Sequence, residues 1–312
     1  MALILSVLEQ GMIYGILALG VYITYKILDF PDLTVDSSFP FGAALTVALI
    51  GADVPAWASL PISFVGGAII GVCTGLIHVK LKVRDLLSGI IMMTGLYTIN
   101  LWVAGAGYVA IFNKKTIFNN QLMTEILPEA IRPYGTVILL FLITILVKGL
   151  LDWYMSTKSG FLLRAVGDND TIVTSLGVDK GLVKIVGLSI ANGLVALSGA
   201  IYVQQQRYFE ISIGTGAVVI GLASVIIGSS LFKKITFLKI TASVVIGAIL
   251  YKGCVALAMY TGVEPNAIKL ITSVLFLIIL VVSADKNSAH KAVKVADKKV
   301  EAIMTAEQKE EK

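Results

Sequence analysis

The chain of 312 residues is 57% hydrophobic and 14% charged, with a formal net charge of +5 at pH 7. Its mean hydropathy of +0.88 lies far above that of soluble domains. The composition therefore excludes an ordinary globular protein in water. It predicts a protein of the lipid bilayer, with membrane lipid as its surroundings and no nucleic acid as a partner.

A helix needs about 20 apolar residues to cross the hydrocarbon core. Suitable stretches run near residues 3–25, 38–52, 57–79, 86–107, 134–153, 183–203, 215–232, 238–261 and 266–283. The second is short for a complete span. Runs such as VLFLIILVV lack the alternation of a membrane β-barrel, so we predict an all-α polytopic membrane protein with about 8–10 transmembrane helices. Residues 1–284 form its transmembrane domain.

The first polar break, DFPDLTVDSS, places three aspartates and a proline between the first two apolar stretches. Asp36 or Ser38 is expected to cap the helix that follows, with Pro40 in its first turn, where a missing N–H costs nothing. Asp29 and Asp32 are expected to be solvated at a membrane face or in an aqueous vestibule. Unwound backbone is tolerated at membrane depth only beside protein or water.

Lysine and arginine favour the cytoplasmic ends of membrane helices. The loops HVKLKVRD and FKKITFLK and the long connector after the fifth stretch are basic, and alternation places all three on one side with the lysine-rich tail, residues 285–312. That side is predicted to be cytoplasmic. Nine full spans put the N-terminus outside, whereas a re-entrant second stretch or a further helix in residues 108–133 would reverse it. The tail is expected to be a charged cytoplasmic helix, which can rest on lipid headgroups.

Catalytic motifs are missing from this sequence. There is no P-loop pattern, the two histidines are far apart, and both cysteines fall within apolar stretches. We therefore expect no catalytic residue, no metal site and no bound cofactor, and we expect that the chain is not itself an enzyme. Any use of ATP and Mg²⁺ is assigned to a separate partner.

The connector after the fifth stretch contains a predicted short amphipathic helix that ends at Gly167, and a second helix beginning near Asp170. Two short, partly apolar helices outside the membrane indicate a docking surface for a soluble protein. The same pattern fits a connector that folds against its own membrane domain. The pattern alone leaves both interpretations open.

Three motifs of this region carry a family resemblance: G-x-x-L-R-A-V-G-D-N, then S-L-G-V-D, then LVKIVGLSIANGLVALSGA. Their order and spacing resemble the ABC-importer permease family that handles branched-chain amino acids, ribose and related solutes. The resemblance extends over about residues 5–283. Within the family the chain is most similar to the branch linked to uptake of tryptophan or other amino acids, because DFPDLTVDSS followed by FPFGAAL is similar to that branch's first polar loop.

The resemblance implies a permease subunit of an ABC importer in the cell membrane of a prokaryote. Its expected partners are a cytoplasmic ATPase that binds ATP and Mg²⁺, an extracellular solute-binding protein, and a second copy or a related permease. The coupling segment, residues 156–180, is implied to seat in a groove of the ATPase. The residues assigned to coupling are Gly160, Leu163, Arg164, Ala165, Val166, Gly167, Asp168, Asn169, Leu176 and Gly177.

Ionisable or amide side chains at membrane depth are candidates for the translocation path. The candidates are Asp29, Asp32, Asp36, Asn192 and Glu210. For Asn192 an ordinary interhelical hydrogen bond is favoured over contact with a solute. Lys252 is expected to snorkel to the outer end of its span. DLTVDSS and EISIGTG form a weak internal echo on opposite faces, as an inverted repeat requires.

Two functions remain at this stage. The first is the importer subunit, which moves an amino acid only together with its ATPase and binding protein. The second is a self-sufficient secondary transporter or channel driven by an ion gradient, with Glu9 or the aspartates as coupling sites. The connector motifs favour the importer.

Overall fold

A computed structural model of the protein describes residues 2–119, 132–168, 170–175, 177–232 and 239–260, with a few residues between 270 and 281. The helices are α1 (Ala2–Val21), α2 (Val35–Gly51), α3 (Ser59–Val79), α4 (Asp85–Ala104), α5 (Gly135–Met155), α6 (Lys158–Asp168), α7 (Asp170–Ser175), α8 (Lys180–Gln206), α9 (Ala217–Leu231) and α10 (Ile240–Tyr260). A π-helical turn, Tyr22–Ile27, continues α1. Strands β1 (Tyr108–Ala110) and β2 (Tyr208–Glu210) pair antiparallel.

The predicted all-α membrane architecture is confirmed. Within the described ranges seven helices are long and apolar enough to cross a membrane, and α2 is a shorter apolar helix of 17 residues. The first eight predicted spans correspond to these helices. Most of the ninth, near 266–283, lies outside the described residues, as does the tail, 285–312.

Small residues allow the central helices to approach closely. Two glycines of α3 face α8: a Cβ added at Gly71 would overlap the Leu188 backbone carbonyl, and one at Gly67 would overlap the Asn192 backbone carbonyl. Gly42 of α2 lies equally close to the Ala196 carbonyl. Lipid tails are as apolar as leucine, so close packing of this kind drives helix association in membranes. α8 is consequently the central helix against which α1, α2 and α3 pack.

The basic turns gather at one end of the bundle, which we call the basic end. The end of α3 and the starts of α4 and α8 surround a cavity of about 470 Å³ there. Cationic side chains lining this cavity are Lys82, Arg84, Lys180 and Lys184. Helix α6 lies at the same end, since Gly187 packs against both Leu163 and Leu28. By the charge rule this end is cytoplasmic, and α1 then begins outside, as expected for nine full spans.

The packing follows an inverted repeat. Helix α1 packs on α9 and α10, and α8 packs on α2 and α3. The pairs α1–α10 and α3–α8 both run antiparallel. Helices α1, α2 and α3 thus correspond to α8, α9 and α10 with the direction reversed, the arrangement typical of transporters built from two related halves.

Candidate functional site

The polar break between α1 and α2 begins at the basic end and rises into the bundle. Asp29 is exposed and adopts a left-handed backbone with φ of 51°. Phe30 is buried, with its ring 5.1 Å from that of His78. Farther along, the backbone at Leu33 lies directly against Gly89 of α4. The unwound backbone is therefore covered by protein, which makes it tolerable at membrane depth.

Asp32 is buried and only 4% exposed, so the expectation that it would be solvated is wrong. The Thr34 N–H donates to one carboxylate oxygen at 2.9 Å, and the Asn192 side-chain amide donates to the other at 2.8 Å. The Ser38 hydroxyl donates to the side-chain oxygen Oδ1 of Asn192 at 2.7 Å. These donors replace the water that a buried carboxylate loses, which is why the group can leave solvent. Asp32, Asn192 and Ser38 form one buried cluster, which we call the polar junction.

Asp36 does not cap its own helix, and neither does Ser38, contrary to expectation. Helix α2 already begins at Val35, and Thr34 in the capping position makes no side-chain bond to it. The Asp36 carboxylate instead accepts from the N–H groups of Gly216 at 3.2 Å and Val218 at 2.8 Å. Asp36 is therefore an anionic cap on the N-terminus of α9, where the helix dipole favours negative charge.

Glu210 lies at the opposite end of the bundle from Asp29. It is exposed in β2, pairs across the ribbon with Tyr108, and accepts a hydrogen bond from the Ser212 hydroxyl. A 3₁₀ turn, Ile211–Gly214, then leads toward α9. The similar segments DLTVDSS and EISIGTG enter the bundle from opposite ends, as expected. Their inner ends meet where Asp36 contacts Gly216.

The structure thus brings together some of the predicted path residues and separates others. Asp32 and Asn192 are joined by a hydrogen bond. Asp36, in the first turn of α2, contacts the start of α9. Asp29 and Glu210 lie at the two ends, away from this centre. Sequence reasoning missed Ser38 as a partner of Asn192, because only the tertiary fold brings these residues together.

Helix α6 has two faces. Gly160, Leu163 and Val166 are buried toward the membrane helices, whereas Arg164 and Asp168 are exposed. A Cβ at Gly160 would overlap the Tyr154 carbonyl, which fixes the start of α6 against the end of α5. The buried face fits a connector that folds against its own membrane domain, and the other face remains exposed.

The other coupling residues complete this segment. Gly167 touches the carbonyl of Ile27, at the end of the π-helical turn. Ala165 is half-buried, and exposed Gly177 adopts a φ of 74° ahead of the Asp179 cap of α8. Asn169 and Leu176 lie outside the described residues. Helix α6 is thus mounted directly on the residues that precede the polar break.

A cavity of about 520 Å³ separates the exposed side of α6 from the start of α10. Asp152 at its wall pairs with Lys148 at 2.8 Å and with Lys239 at 3.4 Å, and accepts from the Thr241 hydroxyl at 2.6 Å. These contacts tie α5 to the start of α10. They leave Arg164 as a cation on the opposite wall of the cavity.

Lys252 does not snorkel outward, contrary to expectation. Its ammonium nitrogen lies 3.5 Å from the centre of the Tyr14 ring. Side chains of a helix lean toward its N-terminus, and α10 begins at the basic end, so this amine is directed toward the middle of the bundle. Sequence length alone could not reveal this direction, because it depends on the orientation of the span.

Among the described residues, no group of three or more His, Cys, Asp or Glu side chains could hold a metal ion. Chemically, the arrangement offers a hydrogen-bonded helix break and a short helix, α6, with one exposed face.

Comparison with known proteins gives a consistent result. The family model described as "Branched-chain amino acid transport system / permease component" matches residues 3–282. A tyrosine transport system permease protein of Clostridioides difficile is 39% identical over 302 residues, covering 95% of this chain and 98% of the relative. A ribose import permease protein of Escherichia coli is 25% identical, covering 72% and 68%. A probable branched-chain amino acid transport permease protein of Methanocaldococcus jannaschii is 29% identical, covering 69% and 70%. No solved structure matches.

Proposed function

Because the chain belongs to the branched-chain amino acid transport permease family, and is thus a permease component of an ABC-type system in the plasma membrane, we propose that it forms the translocation path for an amino acid. A separate cytoplasmic ATPase hydrolyses ATP, and an extracellular binding protein delivers the solute. Two copies of the chain, or one copy with a related permease, complete the transmembrane unit.

The two-faced helix α6 is the observation that supports this function best. Its exposed side presents Phe161, Arg164 and Asp168 to the cytoplasm, and its opposite side is locked to the membrane helices. An exposed aromatic ring on the same helix as two opposite charges offers a partner both apolar area and charge-assisted hydrogen bonds. A helix mounted in this way can transmit a push from a soluble partner, whereas a mobile loop would absorb it.

Two contacts connect α6 to the polar break between α1 and α2. Gly167 touches Ile27, and Gly187 fits between Leu163 and Leu28. Residue 28 opens the unwound segment that carries Asp32. A displacement of α6 therefore acts on the break itself. Packed interfaces with two alternative arrangements convert small shifts of this kind into gating.

An amino acid is the solute we propose, with an aromatic one such as tyrosine or tryptophan as the first choice. Support comes from the tyrosine permease relative, whose identity of 39% exceeds the 25% of the ribose permease. We place the path beside the polar junction and Asp36, at the boundary between the two inverted halves, where transporters of this architecture bind their solutes.

An ion-driven transporter is the less favoured reading of the same residues. Its coupling carboxylates are already engaged: Asp32 and Asp36 accept bonds from the chain itself, and Glu9 accepts from Gln205 at 2.8 Å. Flux from the purified chain alone, driven by an ion gradient, would support that reading. The importer requires ATP and both partners.

The decisive experiment replaces Arg164 and Asp168 together by alanine. We expect the purified variant to lose its co-purifying ATPase while it keeps the wild-type melting temperature, because both side chains are exposed. The matched control replaces the exposed ion pair of Lys114 and Asp53, which lies at the opposite end of the bundle. That control should retain the complex. A retained complex with unchanged coupled ATPase activity in the α6 variant would refute the docking assignment.

A further inference from the structure

Lys252 is a cation at membrane depth whose amine points inward. It lies about two turns before the end of α10 and is half-buried. Its ammonium group rests on the Tyr14 ring, and no described carboxylate lies within ion-pair distance of it. A lysine near a helix end that snorkels outward stays solvated. An ionisable group that instead faces the bundle interior marks a solute pathway by default.

The Tyr14 ring that the amine contacts belongs to a cluster of three aromatic rings. Tyr14 lies 5.6 Å from Phe39 and 6.2 Å from Tyr202, and Phe39 lies 5.4 Å from Tyr202, all between ring centres. The rings come from α1, α2 and α8, and the lysine comes from α10. Both inverted halves therefore contribute to one cluster, which we call the aromatic site.

The aromatic site lies next to the contact between Asp36 of α2 and the N-terminus of α9. Phe39 is one turn of α2 beyond Asp36, which caps α9. In transporters with broken helices, a half-helix N-terminus commonly binds the anionic group of the solute. Here that position is filled by the chain's own carboxylate. A solute carboxylate therefore needs another positive group. Lys252 supplies one on the outer side of the contact between Asp36 and α9.

We propose that Lys252 binds the carboxylate of the permeating amino acid. The carboxylate draws the ammonium away from Tyr14, and the ring face that this uncovers accepts the apolar or aromatic side chain of the solute. Tyr202, which is half-buried, forms the entrance to the site. This inference rests on the proposed function and adds to it a subsite and a chemical requirement, the carboxylate.

The test measures thermal unfolding of the full-length permease in detergent at increasing concentrations of three probes. The probes are L-tyrosine, tyramine, which lacks the carboxylate, and phloretate, which lacks the ammonium. A ligand that binds only the folded state raises the unfolding midpoint. We expect L-tyrosine and phloretate to stabilise the wild type and tyramine to have little effect.

Substitution of the lysine gives the decisive comparison. Lys252→Met should weaken the apparent affinity for both carboxylates by about ten- to a hundredfold, the usual effect of losing a charge-assisted hydrogen bond. Lys252→Arg should retain the preference for carboxylates, which guards against simple misfolding. Lys114→Met, a lysine at the same outer end, is the matched control and should behave like the wild type.

Three outcomes would overturn the inference. The first is equal stabilisation of the wild type by tyramine and L-tyrosine, and the second is no stabilisation by either carboxylate. The third is an undiminished carboxylate preference in Lys252→Met. Co-purification of the ATPase is scored on the same samples. If the ATPase binds but no carboxylate preference is seen, only the role of Lys252 fails. If the ATPase does not bind, the proposed function fails by itself.

Discussion

Asn192→Ala perturbs the centre of the polar junction. The substitution removes the side-chain amide that donates to Asp32 at 2.8 Å. It also removes the side-chain oxygen that accepts from the Ser38 hydroxyl at 2.7 Å. Among the described hydrogen bonds, Asp32 then keeps only those from Thr34, although it is 4% exposed. A hydrogen bond to a charged group contributes about 1.5–3 kcal/mol, whereas neutral bonds between membrane helices average about 0.6 kcal/mol. We therefore expect Asn192→Ala to lower the free energy of unfolding by about 2–4 kcal/mol.

A double-mutant cycle isolates the bond between the two side chains. Reversible unfolding of the purified permease in mixed micelles is measured for Asp32→Ala, Asn192→Ala and the double variant. If Asp32 is ionised, the coupling energy should be about 1.5–3 kcal/mol. Repeating the cycle with Asp32→Asn in place of the wild type should reduce it to about 0.6 kcal/mol.

Asn100→Ala provides a matched control for this cycle. Asn100 is also buried, but its amide donates to the neutral Ser37 carbonyl at 3.0 Å. Its loss should cost only about 1 kcal/mol. A coupling energy between Asp32 and Asn192 that is no larger than the effect of Asn100→Ala, and is unchanged when Asp32 becomes Asn, would refute the reasoning that a charged carboxylate is held there.

Two further predictions concern the helices on either side of the junction. Gly167→Ala should abolish solute-stimulated ATPase activity of the assembled complex, because the new methyl group would overlap the Ile27 carbonyl. The helix content should be unchanged. As the control, Gly149→Ala should leave the ATPase activity intact, because nothing lies within 4 Å of a Cβ added at Gly149. Asp36→Ala should lower the free energy of unfolding by about 1–2 kcal/mol through loss of the α9 cap. Asp36→Asn, which can still accept a hydrogen bond, should lose less. An unchanged free energy of unfolding in Asp36→Ala would refute the cap.

Local patterns were enough to predict the spans, the basic end and the short helix α6. Span position follows from apolar length, and the charge rule gathers the turns near Lys82 and Lys184 at one end, where the structure has them. The end of α6 was predicted at Gly167, and the helix ends at Asp168. The position of the helix break also followed from its aspartates and proline. Each of these features depends on residues close together in the sequence.

The partners of the break residues could not be predicted in the same way. Asp36 could cap either its own helix or a distant one, and only the inverted packing of the two halves places α9 within its reach. Asp32 was expected to be in water because no sequence signal showed that Asn192 would supply an amide. The direction of Lys252 likewise depends on which end of α10 faces the cytoplasm. These errors share one cause, which is that they concern tertiary contacts across the repeat.

The position of Asp36 has a mechanical consequence for transport. Its backbone belongs to α2 of the first half, and its carboxylate holds the first turn of α9 in the second half. The polar junction ties the same break to α8 through Asn192. A push on α6 therefore cannot move the start of α2 alone. It must either carry α8 and α9 along or break the hydrogen bonds of Asp32 and Asp36 at membrane depth, where water cannot replace them. Concerted movement is the lower-energy response, and it alters the walls of the aromatic site, to which α2 contributes Phe39 and α8 contributes Tyr202.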